Sequence, residues 1–419
     1  MKVFTAALAA GLALSGAARA AGTAAASPQS LTPNGTTYLS RLLEAAVARG
    51  DTPGVVALVV NRDHVLYEGA AGHLGGPSTA AMPTNAIFAI ASMTKPVTSV
   101  AIVQLIERGK MKLDDPVSKY LPGFAHQQVI TALNPADGSV QTAPAKHAMT
   151  IRHLLTHTSG IGYSFSNPVV ARLLQGAQKN EWDLPLLQEP GTRWTYSAST
   201  RVLGLIVEKV SGQSLEDYLQ TNVLRPLGMV DTSFAVPPEK QARLPAQFHR
   251  AASGNGFEPQ PRLFPVASKP TPPYLGDGGL YSTAEDYGRF MQMFLNGGRL
   301  GKARVLSEES VRLMSENQIG PLFVEEQPAA NPLLTKPFPL GAGHDKWGLG
   351  FQIASAGPDS AKYRSAGSLS WAGVFNTEFW IDPKAHVGGV VLMQTLPFYD
   401  DGAIRALREF ESGVYLLVR

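Results

Sequence analysis

Apolar residues recur at helical spacing in YLSRLLEAAVARG, which predicts a first helix ending at Gly50, after a Ser-, Thr-, Asn- and Gly-rich lead from Gly22 to Thr37. Two β-rich runs follow, VVALVVNRD and HVLYEGAAG, and the polar corner Asn61-Arg62-Asp63 between them predicts a hairpin. In AIFAIASMTKPVTSVAIVQLIERG an apolar lead reaches Ser92 and opens a long helix ending at Gly109, with Pro96 in the first turn, where a missing N–H costs little. From Leu113 to about Pro270 the pattern is helices joined by Pro- and Gly-rich loops, among them MTIRHLLTHTSG and VLGLIVEKVSGQSLEDYLQTNVLRPLG, with a turn at Glu189-Pro190-Gly191. Pro245–Pro273 and Pro321–Gly343 are expected to be long surface loops of the kind that border active sites. Beyond Gly276, GGLYSTAEDYGRFMQMFLNGG predicts a helix capped by Ser282 or Thr283. AKYRSAGSL, VFNTEFWID and HVGGVVLMQT then alternate as three strands, with turns at Trp371-Ala372-Gly373 and Asp382-Pro383-Lys384, before a closing helix in AIRALREFESGVYLL.

Strands at both ends and helices between them predict an α+β fold. One antiparallel sheet, built from both chain ends and flanked by helices, carries an inserted, mostly helical lobe. The α/β lobe would take about 36–95 and 275–419, and the helical lobe about 113–270. The chain shows no internal repeat.

Composition narrows the chemistry. With 44% hydrophobic and 16% charged residues in 419, the chain has material for a large core. Its 36 basic and 33 acidic residues form no Lys/Arg run, which argues against a nucleic-acid partner. There are no cysteines, so disulfides, thiolate metal sites and a Cys nucleophile are excluded together. The opening MKVFTAALAAGLALSGAARA joins a basic Lys2, an apolar stretch and the ending Ala18-Arg19-Ala20; it predicts a secretory signal cut after Ala20 and a periplasmic or secreted chain over 21–419 as a single domain. No later stretch has the ~20 apolar residues of a membrane span.

Ser92-Met93-Thr94-Lys95 is the sole S-x-x-K. At a helix start, three residues make nearly one turn, so the Lys95 amine can lie beside the Ser92 hydroxyl and take its proton. The helix N-terminus adds potential favouring developing negative charge. Tyr196, in EPGTRWTYSAST, stands at a loop-to-helix junction; near a Lys its phenol would ionise more easily and serve as acid and base. Where Trp371-Ala372-Gly373-Val374 meets a strand, the Val374 N–H could join that of Ser92 as an oxyanion hole, with Gly373 permitting close approach. His153 and His157 have the i, i+4 spacing of metal ligands but lack the Glu of H-E-x-x-H, and are assigned structural hydrogen bonds. G-x-S-x-G, P-loop and strand-linked GxGxxG patterns are absent.

Together with IRHLLTHTSG, EPGTRWTYS, LRPLGMVDTSF and GGLYSTAEDYGRF, these elements resemble the serine β-lactamase superfamily of the class C type, across about Tyr38 to Phe410. Within it they most resemble the family VIII carboxylesterases. The resemblance implies Ser92 as nucleophile, Lys95 and Tyr196 as proton carriers, and Trp371–Gly373 in place of the β-lactamase K-T-G. Two departures matter: Ala198 stands where Y-x-N has its Asn, and uncharged Trp371 where K-T-G has its Lys. Both favour a small-molecule ester over a β-lactam or a D-amino acid peptide, the alternative substrates. A non-catalytic penicillin-binding-like module is the other alternative. No metal or organic cofactor is expected.

Overall fold

The computed structural model describes residues 30–419 apart from 77, 135, 137, 177, 255 and 358–361; the predicted signal segment, 1–20, lies outside the described residues. Its centre is an eight-stranded sheet made of β1 (Gly54–Asn61), β2 (Val65–Gly75), β3 (Ser78–Ala81), β4 (Lys346–Trp347), β5 (Gln352–Ile353), β6 (Leu369–Gly373), β7 (Thr377–Asp382) and β8 (Val387–Leu392). Their spatial order is β4-β5-β6-β7-β8-β1-β2-β3, with every neighbouring pair antiparallel. The β1–β8 ladder, Val56 opposite Leu392 through Asn61 opposite Val387, is the seam where the two chain ends meet.

Both faces of the sheet are covered, which explains why β1 reads as an unbroken apolar run. Val55, Ala57 and Val59 face helices α1 (Pro33–Ala48) and α5 (Asp401–Val418), packing with Leu39, Leu43 and Phe410. Val56, Leu58 and Val60 face the opposite core, which contains α2 (Thr94–Glu107) and α4 (Ala284–Leu295). Helix α4 begins at Thr283, whose hydroxyl accepts from the Asp286 N–H. Helix α3 (Ser199–Ser211) belongs to the 113–270 region and ends on Gly212 at φ +70°, a left-handed stop that divides the long periodic run 202–228.

Three details differ from the sequence expectations. The first helix starts at Pro33, five residues earlier than its apolar periodicity, because Thr32 caps it and Pro33 occupies the first turn. The strand expected in AKYRSAGSL begins only at its last residue, Leu369, and Trp371-Ala372-Gly373 is not a turn but the end of that strand, β6; the chain turns over Val374–Asn376, where Asn376 takes φ +59°. The region 113–270 also holds two β-ribbons, Gln128–Leu133 with Val140–Pro144 and Gln247–Arg250 with Phe257–Gln260, the second within a stretch expected to be loop. Their polar, half-exposed faces hide the alternation that marks a half-buried strand.

Candidate active site

Ser92 sits on a short 3-10 turn, Ala91–Met93, directly before α2. The preceding Ala91 has φ +43°, a left-handed conformation that costs a non-glycine residue about 1–3 kcal/mol and persists only where its surroundings hold it. The hold is visible: Ile90 N–H donates to the Leu280 carbonyl at 3.1 Å, Leu280 N–H to Thr94 Oγ1 at 3.1 Å, and Tyr287 OH to the Met93 carbonyl at 3.0 Å. A Cβ on Gly373 would collide with the Ile90 carbonyl oxygen, so only glycine lets the end of β6 lie against the serine turn. The adjoining Val374 N–H meets no acceptor among the described residues. Ser92 itself is partly exposed among buried neighbours.

One helical turn on, Lys95 is 1% exposed, and its ammonium donates to Ser92 Oγ at 2.9 Å, Tyr163 OH at 3.1 Å and the Asp277 carbonyl at 2.7 Å. Burial pushes the amine down to about 7; the Asp277 charge opposes this and Arg201 adds to it. Tyr196 is also buried, and Trp371 Nε1 donates to its hydroxyl at 3.1 Å. The Lys95 nitrogen lies 4.8 Å from the Tyr196 ring centre, and Ser92 hydrogen-bonds its oxygen. The structure thus brings together Ser92, Lys95, Tyr196 and Trp371, with Gly373 and Val374 against the serine turn.

The expectation of an easily ionised Tyr196 is corrected. Burial raises its pKa, outweighing the hydrogen bonds from Ser92 and Trp371 that favour phenolate. The neighbouring amine, itself lowered to about 7, supplies less cationic charge at neutral pH than a solvated lysine would. At rest the pair is therefore a phenol beside an amine able to shed its proton.

Tyr163 and Asp277 escaped the sequence reading. Tyr163 OH donates to Asp277, whose other oxygen pairs with Arg201, and Asp277 is 3% exposed. A charged residue beside Gly278-Gly279 in an apolar stretch was a usable signal for Asp277; Tyr163 had none, since a loop tyrosine is ordinarily packing. Arg201 and Lys95 hold the Asp277 pKa below its ordinary value despite burial. A depressed carboxyl contributes stability above its unfolded pKa and loses it as pH falls. Asp277→Asn is thus expected to cost ~3–5 kcal/mol at pH 7 by leaving Arg201 unpaired, as read from urea melts, with the deficit shrinking in acid as wild-type Asp277 gains its proton.

The two histidines diverge. His153 Nδ1 accepts from the Thr150 N–H at 3.2 Å in a capping box, while His157 Nδ1 lies 3.0 Å from Ser197 Oγ beneath the Tyr196 ring. Among the described residues, no group of three or more His, Cys, Asp or Glu side chains is arranged to hold a metal ion. Beside the serine turn, Ala89, Gly278 and Phe375 form one side of a largely apolar pocket of 130 Å³; Phe264, Pro265 and Pro273, from the expected Pro-rich border, supply another.

Comparison with known proteins fits this geometry. The family model described as Beta-lactamase matches residues 39–413. Protein Rv1367c of Mycobacterium tuberculosis is 36% identical over 366 residues, covering 82% of this chain and 86% of its own. Monacolin J acid methylbutanoyltransferase of Aspergillus terreus is 30% identical over 342 residues, covering 78% and 81%. Esterase EstB of Burkholderia gladioli is 28% identical over 382 residues, covering 85% and 90%. Among solved structures, the unliganded selenomethionyl simvastatin synthase LovD of Aspergillus terreus superposes with TM-score 0.79 at 25% identity, over 92% of this chain and 98% of its own. EstCE1, described as a hydrolase with promiscuous acyltransferase activity, superposes with TM-score 0.70 at 25% identity, over 91% and 99%. The sheet assembled from both chain ends, the buried lysine beside a serine turn and the match over 39–413 together establish that the chain belongs to the beta-lactamase family, among its serine hydrolases and acyltransferases.

Proposed function

We propose that the protein is a secreted serine carboxylesterase of the family VIII kind that hydrolyses small, short-chain esters through an acyl group on Ser92. The observation that carries this reading is the 2.9 Å contact between Ser92 Oγ and an amine whose pKa burial has brought to about 7. Neutral Lys95 takes the hydroxyl proton as Oγ attacks the ester carbonyl. The N–H groups of Ser92 and Val374 hold the oxyanion, a task whose loss costs ~2.7–4 kcal/mol per donor. The Tyr196 phenol gives its proton to the leaving alkoxide and regains one from Lys95. Water then adds to the acyl carbon by the same path in reverse, releasing the acid and restoring Ser92.

The choice of ester rests on Trp371. Its indole N–H is spent on Tyr196, so it offers substrate no charge to hold a carboxylate. The pocket beside the serine turn is walled by Phe264, Pro273 and Phe375, a close apolar boundary that favours short acyl chains. Nitrophenyl acetate and butyrate are therefore expected to outpace the octanoate at least tenfold in kcat/KM, with nitrocefin and D-alanyl peptides slower still. A preference for nitrocefin or D-peptides would overturn the reading.

A second reading, acyl transfer to an alcohol, draws on the similarity to the methylbutanoyltransferase and to EstCE1. It predicts that an added alcohol diverts the acyl group from acid to new ester. Export belongs to the same proposal: no described helix is long and apolar enough to cross a membrane, and N-terminal sequencing of the exported protein should begin at Ala21.

A further inference from the structure

Behind strand β6, on the sheet face that carries α5, lies a pocket of 290 Å³ whose lining includes Trp371 of the proposed site. Ser370 and Ala372 point toward it, because side chains alternate along a strand and Trp371 between them faces Tyr196. Opposite Ala372 on β7 stands Glu378, 8% exposed, with Oε1 buried and without a hydrogen-bond partner. A buried carboxyl oxygen without a partner is costly to keep, and nothing in the proposed ester chemistry uses it.

The other charged groups around the pocket are committed. Arg364 forms a two-point ion pair with Glu411, at 2.8 and 2.9 Å. Arg408 stacks 3.8 Å over the Tyr363 ring. Asp345 accepts from Gln352 Nε2 at 2.7 Å and from the Ser355 N–H at 2.9 Å. Once Glu378 is ionised, the acids Asp345, Glu378 and Glu411 exceed the guanidiniums of Arg364 and Arg408 by one charge. Leu340, Ala354, Leu407 and Tyr399 supply apolar wall.

We propose that this pocket binds a small organic ammonium ion, its N–H groups donating to the Glu378 carboxylate and its short carbon chain packed on the apolar wall. An alcohol would satisfy the hydrogen bond but not the charge, and a carboxylate would meet three acids. Burial raises Glu378 to about 8, with Arg364 opposing and Glu411 reinforcing the shift. At pH 7 the empty pocket is thus mainly protonated at Glu378, and docking an ammonium expels that proton. Affinity should therefore rise from pH 6 to pH 8. His344, the imidazole facing the pocket, stands at the mouth with its side chain 64% exposed and its Nδ1 2.9 Å from Asp345 Oδ1.

The test is calorimetric titration of the full chain with n-butylammonium chloride, with butan-1-ol and sodium butyrate as comparison ligands. Saturable one-to-one binding of the ammonium is expected, at least about tenfold tighter than either comparison ligand and climbing from pH 6 to pH 8. Glu378→Gln, which preserves shape, should weaken it at least tenfold and flatten the pH climb; His344→Gln should keep both, and Ser92→Ala should bind as wild type. The proposal fails if the wild-type chain gives no saturable heat, if butan-1-ol or butyrate binds as tightly, or if Glu378→Gln binds undiminished. The wild-type comparison does not depend on any variant folding.

Discussion

Ser92→Ala is expected to reduce kcat for nitrophenyl butyrate by on the order of 10⁴- to 10⁶-fold while leaving the melting temperature within a degree or two. Removing the nucleophile of a catalytic unit costs about as much as removing the unit, and what survives is the contribution of the oxyanion donors and binding. Stability should hold because Ser92 Oγ accepts from Lys95, whose ammonium keeps its bonds to Tyr163 and the Asp277 carbonyl. The measurements are steady-state kinetics, a thermal melt and labelling with a fluorophosphonate, whose adduct should appear on Ser92 in the wild type and be missing from the variant. A fully active Ser92→Ala chain, or an adduct elsewhere, would remove the acyl-enzyme from the mechanism.

Lys95→Met is the second large effect, and its pH dependence separates a proton acceptor from a mere packing group. With the amine near 7, its neutral form grows as pH rises. Wild-type kcat/KM should climb about tenfold per unit below pH 7 and level off above about pH 8, whereas the variant should be ~10²- to 10⁴-fold slower and lack that climb. Stability gives an independent check. The folded chain releases the Lys95 proton near pH 7, while the unfolded chain keeps it to about 10.4, so between these values the unfolded state binds more protons and folding stability rises with pH. Methionine, of similar length and without charge, should abolish that rise and stabilise the protein below pH 7, where the wild type buries an ammonium. A variant whose rate keeps the wild-type climb would show that Lys95 is not the group being titrated.

Several features of the fold could be recognised along the chain because they depend on near neighbours. Period-two and helical patterns located β1, β2, α2, α4 and α5, and Thr283 was among the expected caps. Where polarity does not alternate cleanly, as in Gln247–Arg250 with Phe257–Gln260, the sequence pattern of a ribbon is indistinguishable from that of a loop. Trp371–Gly373 was expected to turn because glycine ordinarily marks one; here the glycine serves the approach of β6 to the Ile90 carbonyl.

What the amino-acid sequence determined alone was the Ser92–Lys95 pair, since three residues at a helix start fix the spacing between two side chains whatever surrounds them. Tertiary structure decided the rest of the site. Tyr163 is 68 residues from Lys95, Asp277 is 182 from it, and Tyr196 lies 175 from Trp371, so only packing sets their contacts. It also decided the protonation states: no local pattern records how completely water is excluded from a side chain, and exclusion of water moves the Lys95 amine down to about 7 and the Tyr196 phenol up.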